Sequence, residues 1–502
     1  MTDSVRVGQA RQAVGQVPVR RRPVRLFGWL AGVCIGASLL IMIGASLVRQ
    51  DWMTPPIPMP RVGPPWQLTH VHVSPELVTI ALWVAAVLAL AGVIAGVMTA
   101  RWGARGPLGL IFAAAAITVA LLTVLPPVGS TDALDYAAYG RILLLGHNPY
   151  VVTPVYLRLT EPYFGQSIPG TWQNTVSVYG PAATIEQYLA ARLGGVSIAH
   201  VDFWLKLWNA FAFMAVVVVL DRVLRARPAA RLRAHLLWTI NPLLLWDLIA
   251  SGHVDVLAAA AGVGGLLAVG RQAADGRPWR PPAWRALTAG ALIGFAADIK
   301  IDYLLFGVAL AWALRRSAPA LAAACCGAFV VLLPTYAWLG KPALQALLDR
   351  RDQTTQDSFW RSISLTDSKY LVVFAVVLFV ALAVLLLWRL PAGDPVRPAI
   401  RPAVAFSLAF LLVWPYQLPW YDAMIITVLV LYPATWIDWL VLARVAAATI
   451  ANIPGDPNGV PSPQLYTADV DLVHGWVPVV LLAVLGVMIG LAVLGRWGVV
   501  RT

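Results

Sequence analysis

Two acidic residues at the start of a long polar segment are the clearest candidates for chemistry in the chain. Asp132 and Asp135 follow an apolar run that ends near residue 126, and they open the stretch DALDYAAYG. An aspartate at a water–lipid boundary can accept a proton from a hydroxyl as a general base. Aspartates are also favoured N-caps, and acids in a first helical turn oppose the helix dipole. By pattern alone N-capping is the commoner role, so both interpretations stay open.

The segment Thr131–Leu145 is predicted to form a helix that lies on the outer membrane surface. It carries an apolar stripe, and Gly146 suits its C-terminal cap. Because Asp132 and Asp135 are three residues apart, they lie near one face of the first turn. Asp135 either couples to Asp132 as a like charge and raises one pKa of the pair, or it is a solvated helix residue, which the pattern favours.

Composition indicates an all-α polytopic membrane protein. The 502 residues are 59% hydrophobic and 12% charged, with a mean hydropathy of +0.73, and a soluble core cannot use so much apolar surface. The net charge of +13 comes from arginines in short clusters between apolar runs. That pattern orients membrane helices and does not indicate a nucleic-acid partner. The three cysteines have neither a disulfide nor a metal-ligand pattern.

The arginine clusters also predict the topology. Residues 1–25 read as a disordered, basic cytoplasmic tail, and residues 26–496 as a transmembrane domain of about 13–14 helices by the positive-inside rule. With the tail inside, residues 127–200 form a large extracytoplasmic loop that carries interfacial helices. Residues 339–369 form a second extracytoplasmic loop.

Three further ionisable residues lie at predicted helix ends. Ionisable groups at membrane depth indicate function by default, so His253 and Asp255 either bind substrate or form a structural pair that braces two helices. Lys300 stands between Asp298 and Asp302. It either binds a phosphate, as lysines commonly do, or forms a salt bridge with one of these two aspartates.

The second outer loop contains a basic pair that departs from the positive-inside trend. Arg350 and Arg351 either hold a donor phosphate or contact anionic lipid head groups. Asp469 and Asp471 match the DxD motif of nucleotide-sugar enzymes, but no α/β domain surrounds them. The sequence has no P-loop, no dinucleotide-binding glycine motif and no metal-ligand cluster.

Several short motifs follow one another along residues 125–430. The stretch 132–140 is followed by Gly146-His-Asn-Pro-Tyr150, Tyr179-Gly180-Pro181, Ser251-Gly-His-Val-Asp255, Lys300 and Trp420-Tyr421. Together they resemble actinobacterial polyprenol-phosphate-mannose-dependent α-1,6-mannosyltransferases, which belong to the GT-C superfamily of membrane glycosyltransferases. Val254 departs from the family pattern, which is usually Gly-His-Asn-Asp.

The resemblance implies a GT-C-like helical bundle and inverting transfer of mannose from a polyprenyl phosphate to a mannan or lipomannan acceptor. The reaction would take place on the outer face of a bacterial plasma membrane, with membrane lipids as further partners. No cofactor is implied beyond the lipid-linked donor, and the dependence on a divalent metal is left open. The family pattern selects Asp132 as the base, four residues before Tyr136, and implies that Lys300 with Arg350 or Arg351 stabilises the leaving phosphate.

The resemblance also implies substrate-binding roles for Asp135, Tyr136, Tyr150, Tyr179, His253, Asp255, Trp420 and Tyr421. Two alternatives stay open. One is a GT-C enzyme with another lipid-linked sugar, linkage or acceptor. The other is a transporter or flippase of lipid-linked sugars, although transporters commonly show paired halves and acids at mid-membrane, whereas these acids cluster at the predicted outer ends.

Overall fold

The computed structural model describes residues 21–48, 57–170, 172–272, 280–349, 353–363, 370–453 and 463–499. Within these ranges the regular secondary structure is helical, as predicted. The first helices are α1 (Arg21–Leu47), α2 (Pro75–Arg101) and α3 (Leu108–Val124). The segment 127–200 then contains α4 (Asp132–Leu144), α5 (Val155–Thr160), α6 (Pro162–Gly165) and α7 (Pro181–Gly194). Helix α1 thus begins five residues before the predicted boundary at residue 26, and residues 1–20 lie outside the described ranges.

The rest of the chain alternates long helices with short ones. Its middle part contains α8 (Ile198–Leu224), α9 (Pro228–Ala234), α10 (Pro242–Leu245), α11 (Asp255–Ala268), α12 (Ala283–Ile299), α13 (Leu304–Leu314), α14 (Ala318–Leu339), α15 (Lys341–Leu348) and α16 (Phe359–Ser362). The last helices are α17 (Leu371–Arg389), α18 (Ile400–Val413), α19 (Asp422–Leu429), α20 (Ile437–Ala451), α21 (Pro463–Val470) and α22 (Val477–Leu494). Short π-helical segments extend α9, α10 and α21 at their C-terminal ends, and single 3₁₀ turns precede α13 and α19.

Six helical segments among the described residues are long and apolar enough to cross a membrane. They are Pro23–Leu47, Pro75–Arg101, Ile198–Leu224, Ala318–Leu339, Leu371–Arg389 and Leu465–Leu494. The segments Pro228–Ala250 and Asp255–Ala268, bent by 116°, make a seventh if they count as one broken span. Three shorter apolar helices are Leu108–Val124, Ile301–Leu314 and Ile400–Val413. The chain is therefore a multi-pass membrane protein.

By this criterion the described residues contain six or seven candidate spans, against the predicted number of about 13–14 helices. Helices form where they were predicted, but many are short: α11 and α18 have 14 residues each. Fourteen residues extend about 21 Å, which is less than the hydrocarbon thickness of about 30 Å. The chain breaks responsible lie at Asn241, at residues 251–254, at Lys300 and at residues 414–421.

Helix α4 is buried, which corrects its predicted place on the membrane surface. Every residue from Ala133 to Ile142 is buried, because α4 packs against α7 and α8. A Cβ on Gly140 would lie 2.0 Å from the carbonyl oxygen of Gln187, so only glycine allows α4 to approach α7 so closely. The guanidinium of Arg141 donates to both carboxylate oxygens of Glu161, at 2.6 and 2.7 Å, and ties α4 to the segment between α5 and α6.

This contact between α4 and α7 predicts a large effect of one methyl group. Gly140→Ala is expected to destabilise the protein by roughly 1–3 kcal/mol through overpacking, although alanine favours an exposed helix by about 1 kcal/mol over glycine. Gly36→Ala in α1 is the matched control, because a Cβ there meets no atom within 4 Å. Thermal unfolding in detergent should show a lower Tm for Gly140→Ala alone. Equal Tm values for the two variants would contradict this packing.

Candidate active site

One face of α4 lines a cavity of about 430 Å³. The lining residues of this helix are Asp132, Asp135, Tyr136 and Tyr139. Their spacing places them on a single helical face. The predicted acids and the first motif tyrosine therefore do share one surface, and that surface faces a cavity enclosed by other helices.

The start of α4 is held by contacts with the chain break before α11. The amide of Val128 donates to the carbonyl of Ala250 at 3.1 Å, and the hydroxyl of Ser251 donates to the carbonyl of Val128 at 3.0 Å. Gly129 has a φ of +86°, and a side chain there would collide with the indole of Trp246. These contacts bring the first turn of α4 next to the segment that carries His253.

The carboxyl group of Asp132 lies among polar side chains. Its Oδ2 accepts a hydrogen bond from the Tyr136 hydroxyl at 3.5 Å and lies 3.7 Å from His253 Nδ1. Its side chain is 19% exposed. Burial raises the pKa of Asp132 to about 6, an increase that the charge of Lys300 partly offsets. The N-cap of α4 is Thr131 and Asp132 is its first residue, so Asp132 does not take the N-cap position.

A chain of aromatic and hydroxyl groups lies behind Asp132. The Tyr179 hydroxyl donates to the Tyr136 hydroxyl at 3.1 Å, and the Tyr136 hydroxyl lies 3.3 Å from His253 Nδ1. The imidazole stacks on the Trp420 ring, with 3.5 Å between centroids and 15° between planes. Four segments that the sequence identified separately thus meet at this point.

Lys300 forms a buried ion pair that sequence reasoning did not foresee. Its Nζ donates to Asp255 Oδ1 at 2.5 Å, rather than to Asp298 or Asp302, and lies 3.2 Å from the ring centre of Tyr421. His253 and Asp255 therefore do not brace each other. His253 contacts the α4 side of the site, and Asp255 holds the lysine.

The motif Tyr179-Gly180-Pro181 joins this cluster through its glycine. The Gly180 amide donates to the Ile299 carbonyl at 3.1 Å. A Cβ on Gly180 would lie 2.0 Å from the Asp298 carbonyl oxygen. Glycine at this position lets the segment before α7 lie directly against the end of α12, which brings Tyr179 close to Lys300.

Away from Lys300 the wall of the cavity becomes apolar. Helices α13, α17 and α18 supply this wall through Leu304, Leu305, Val308, Phe379 and Phe410. Leu304 and Val308 are 49% and 46% exposed, so this side of the cavity continues to the outside of the helical bundle. The site thus combines a polar end with an apolar groove.

The predicted site residues divide into three groups. The cavity is lined by Asp132, Asp135, Tyr136, Tyr179, Lys300, Trp420 and Tyr421. His253, Asp255 and Tyr150 lie outside the lining, and the Tyr150 hydroxyl donates to the Tyr179 carbonyl at 2.7 Å, so it supports that segment instead. Arg350 and Arg351 lie outside the described residues.

Asp135 differs from the expectation of a solvated helix residue. It is only 3% exposed, because α4 lies inside the protein, packed against α7 and α8. Burial, and then the charge of Asp132, raise its pKa well above the ordinary value. The predicted coupling between the two acids is therefore the interpretation that this geometry favours.

Sequence reasoning did not assign several polar or aromatic residues of the lining to the site, among them Tyr139, Trp172, Asp302 and Tyr416. Three of these four residues could have been found from their positions in the sequence. Tyr139 belongs to the first motif, Asp302 comes two residues after Lys300, and Tyr416 lies in the interrupted segment 414–421. Among the described residues, no group of three or more His, Cys, Asp or Glu side chains could hold a metal ion.

The buried ion pair makes a prediction about stability. Lys300→Met or Asp255→Leu alone leaves one buried charge without its partner, and is expected to cost about 3–5 kcal/mol. The double variant removes both charges and should recover most of that loss. Arg231→Met is the control, since the Arg231–Asp221 pair is partly exposed and is worth less than about 1 kcal/mol. Thermal unfolding that shows additive losses in the double variant would contradict the pairing.

Similarity to known proteins identifies the family of this chain. The family model "Alpha-(1->6)-mannopyranosyltransferase, N-terminal domain" matches residues 28–316. A curated protein of Mycolicibacterium smegmatis, named "Probable alpha-(1->6)-mannopyranosyltransferase/", is 28% identical over 245 residues. That match covers 44% of this chain and 43% of the relative, less than half of either.

Two solved structures show a more distant likeness. They are crystal structures of ArnT from Cupriavidus metallidurans, one bound to undecaprenyl phosphate and one in the apo state. The sequence identities are 18% and 16%, and the TM-scores are 0.41 and 0.39. Each likeness covers 77% of this chain and 76% of the other. TM-scores this low carry no argument about the site.

The family model alone covers more than half of the 502 residues, and the chain therefore belongs to the alpha-(1->6)-mannopyranosyltransferase family.

Proposed function

We propose that this protein transfers mannose from a polyprenyl-phosphate-mannose donor to a mannan or lipomannan acceptor, with inversion and formation of an α-1,6 linkage. One observation carries the proposal. A carboxyl group and a lysine, Asp132 and Lys300, stand at the polar end of a cavity, and one wall of that cavity, from α13, α17 and α18, is apolar. A lipid-linked sugar has the same division into a polar head and an apolar tail.

The apolar groove suits the polyprenyl tail. Helices α13, α17 and α18 present branched and aromatic side chains to it, and its exposed leucine and valine residues leave it open at the side of the bundle. The tail enters this groove from the lipid bilayer, which is about as apolar, so the groove aligns the donor and adds little hydrophobic binding free energy. The sugar then lies among the polar groups of the other end.

Asp132 is the proposed general base. The acceptor hydroxyl oxygen attacks the anomeric carbon, and its proton moves to the Asp132 carboxylate. The bond between the anomeric carbon and the phosphate oxygen breaks, and its electron pair leaves with the polyprenyl phosphate. A base whose pKa of about 6 lies near the working pH is ionised at neutral pH and still basic enough to take the proton.

Lys300 is the proposed stabiliser of the leaving phosphate. A lysine ammonium has three donors and acts on phosphate as a point charge, and its bond to Asp255 uses one of them. The ion pair fixes the ammonium group in the cavity wall before the donor binds. Cations positioned in advance of charge development contribute strongly to catalysis.

The positive-inside pattern supports the outer face of a bacterial plasma membrane as the location, with the N-terminus in the cytoplasm. On that face a lipid-linked donor is needed, because nucleotide-activated sugars are made on the other side. Arg350 and Arg351 stay candidates for a second contact with the donor phosphate.

The direct test is sugar transfer by purified protein in liposomes. With radiolabelled polyprenyl-phosphate-mannose and a short α-1,6-mannoside, we expect wild type to form an elongated mannoside. Asp132→Asn should reduce kcat by about 10²- to 10⁴-fold, the usual contribution of a general base. Glu186→Gln is the matched control, because Glu186 is a buried acid of α7 outside the cavity lining.

Other outcomes separate the alternatives. Full activity of folded Asp132→Asn would contradict the base but keep the enzyme. Transfer from another polyprenyl-phosphate sugar, with the same loss in Asp132→Asn, would change the donor and keep the mechanism. Movement of the donor between leaflets without a new glycosidic bond would indicate a flippase.

The pKa of Asp132 also predicts a pH dependence. Protonation inactivates a base, so kcat/KM should fall about tenfold per pH unit below pH 6 and level off above it. The phosphodiester of the donor stays ionised over this range and adds no titration. A profile from pH 4.5 to 8 that stays flat, under conditions where the chemical step limits the rate, would contradict this assignment.

A further inference from the structure

We propose that Asp135 binds a hydroxyl of the acceptor sugar, and that the part of the cavity beyond Asp132 along α4 is the acceptor subsite. This inference rests on the proposed function. It assigns the second acid of the segment to recognition of a saccharide, in contrast to the proton transfer assigned to Asp132.

The first observation is the state of the Asp135 side chain. It lines the cavity and is only 3% exposed. Neither of its carboxyl oxygens has a hydrogen-bond partner among the residues that the structure describes. A buried polar group without a partner is costly, and a group so placed beside a cavity is suited to a ligand that brings hydrogen bonds with it.

The second observation is the direction of the cavity along α4. Asp135 lies about one turn, or 5 Å, beyond Asp132. Asp135 lies between Asp132 and Tyr139 on the face of α4 that lines the cavity. Because the acceptor hydroxyl must reach Asp132, the acceptor sugar lies beside this part of α4.

The third observation is the lining of the cavity beyond Asp132 along α4. Tyr139 continues the α4 face, and its hydroxyl donates to the Thr175 carbonyl at 3.0 Å. This bond fixes the turn 172–175, which adds Trp172 and Thr175 to the lining. An aromatic ring beside a hydrogen-bonding group is a combination that suits a sugar, because pyranose rings have an apolar face and polar edges.

The protonation of Asp135 fits this role. Burial, and then the charge of Asp132, raise its pKa well above the ordinary value and so favour the neutral form. A neutral carboxyl group both donates and accepts hydrogen bonds, which matches a hydroxyl that does the same. Two neighbouring acids whose environments separate their pKa values commonly take different roles.

The two acids should therefore respond differently to replacement by asparagine, which is expected to reduce kcat at position 132 but to be tolerated at position 135. Asp135→Asn keeps one acceptor and adds donors without charge, so its acceptor KM should stay within about threefold of wild type, whereas Asp135→Leu should raise the acceptor KM about tenfold, the usual effect of one lost hydrogen bond. The donor KM should change in neither variant. Glu186→Leu is the matched control, since Glu186 is likewise buried with both oxygens unpartnered among the described residues, but lies outside the cavity lining.

The decisive readout uses monodeoxy analogues of the α-1,6-mannoside acceptor. One analogue should bind wild type about tenfold more weakly than the parent, yet as well as the parent to Asp135→Leu, because the partner of that hydroxyl is gone. A uniform loss across all analogues, or an acceptor KM as unchanged as in Glu186→Leu, would overturn the proposal. If Asp135→Leu fails to fold, Asp135→Ala serves the same comparison, because it also removes the hydrogen-bonding group.

The test does not depend on turnover. Binding of the mannoside and its analogues can be measured by saturation-transfer NMR on wild type and on the Asp135 variants, with no donor present. Binding that depends on Asp135 in a protein that transfers no mannose would reject the proposed reaction and keep the saccharide subsite. Absence of any mannoside binding to folded wild type would reject the subsite itself.

Discussion

The buried ion pair between Lys300 and Asp255 is the contact on which the arrangement of this site depends. It joins two chain breaks, one before α11 and one after α12. Without this pair, an unpaired carboxylate and an unpaired ammonium group would lie in an apolar bundle. Neither charge is stable there alone. Tyr303 strengthens the junction, because its hydroxyl donates to the Asp255 carbonyl at 3.2 Å. The position of the cation is thus set by the fold before any substrate binds.

Close backbone contacts at glycine residues fix the rest of the site around this pair. Gly180 places Tyr179 against the end of α12, and Gly140 places α4 against α7. Gly129 and Gly252 adopt φ values of +86° and +73°, where other residues are strained. These contacts leave little freedom for Asp132 relative to Lys300. Such prior positioning is what transfer to a fixed acceptor requires.

Much of this site could be predicted from the sequence, because its polar residues stand out against apolar helices. Asp132, Tyr179, Lys300 and Trp420 line one cavity, and their roles in the reaction stay predictions. The partner of Lys300 could not be predicted, since Asp298 and Asp302 are near in sequence but Asp255 is near in space. The burial of Asp135 also depends on tertiary packing, which a helical pattern does not contain. The number of helices long enough to pass a length test for spanning could not be predicted, because apolar runs show composition, whereas chain breaks decide helix length.

The measurement that tests the central claim most directly is a cryo-EM structure of the Asp132→Asn protein in nanodiscs with polyprenyl-phosphate-mannose. The account predicts that the donor phosphate lies within hydrogen-bond distance of Lys300 Nζ, that the anomeric carbon faces residue 132, and that the tail follows α13, α17 and α18. A donor bound with its phosphate away from Lys300, or with its tail outside this groove, would contradict the account.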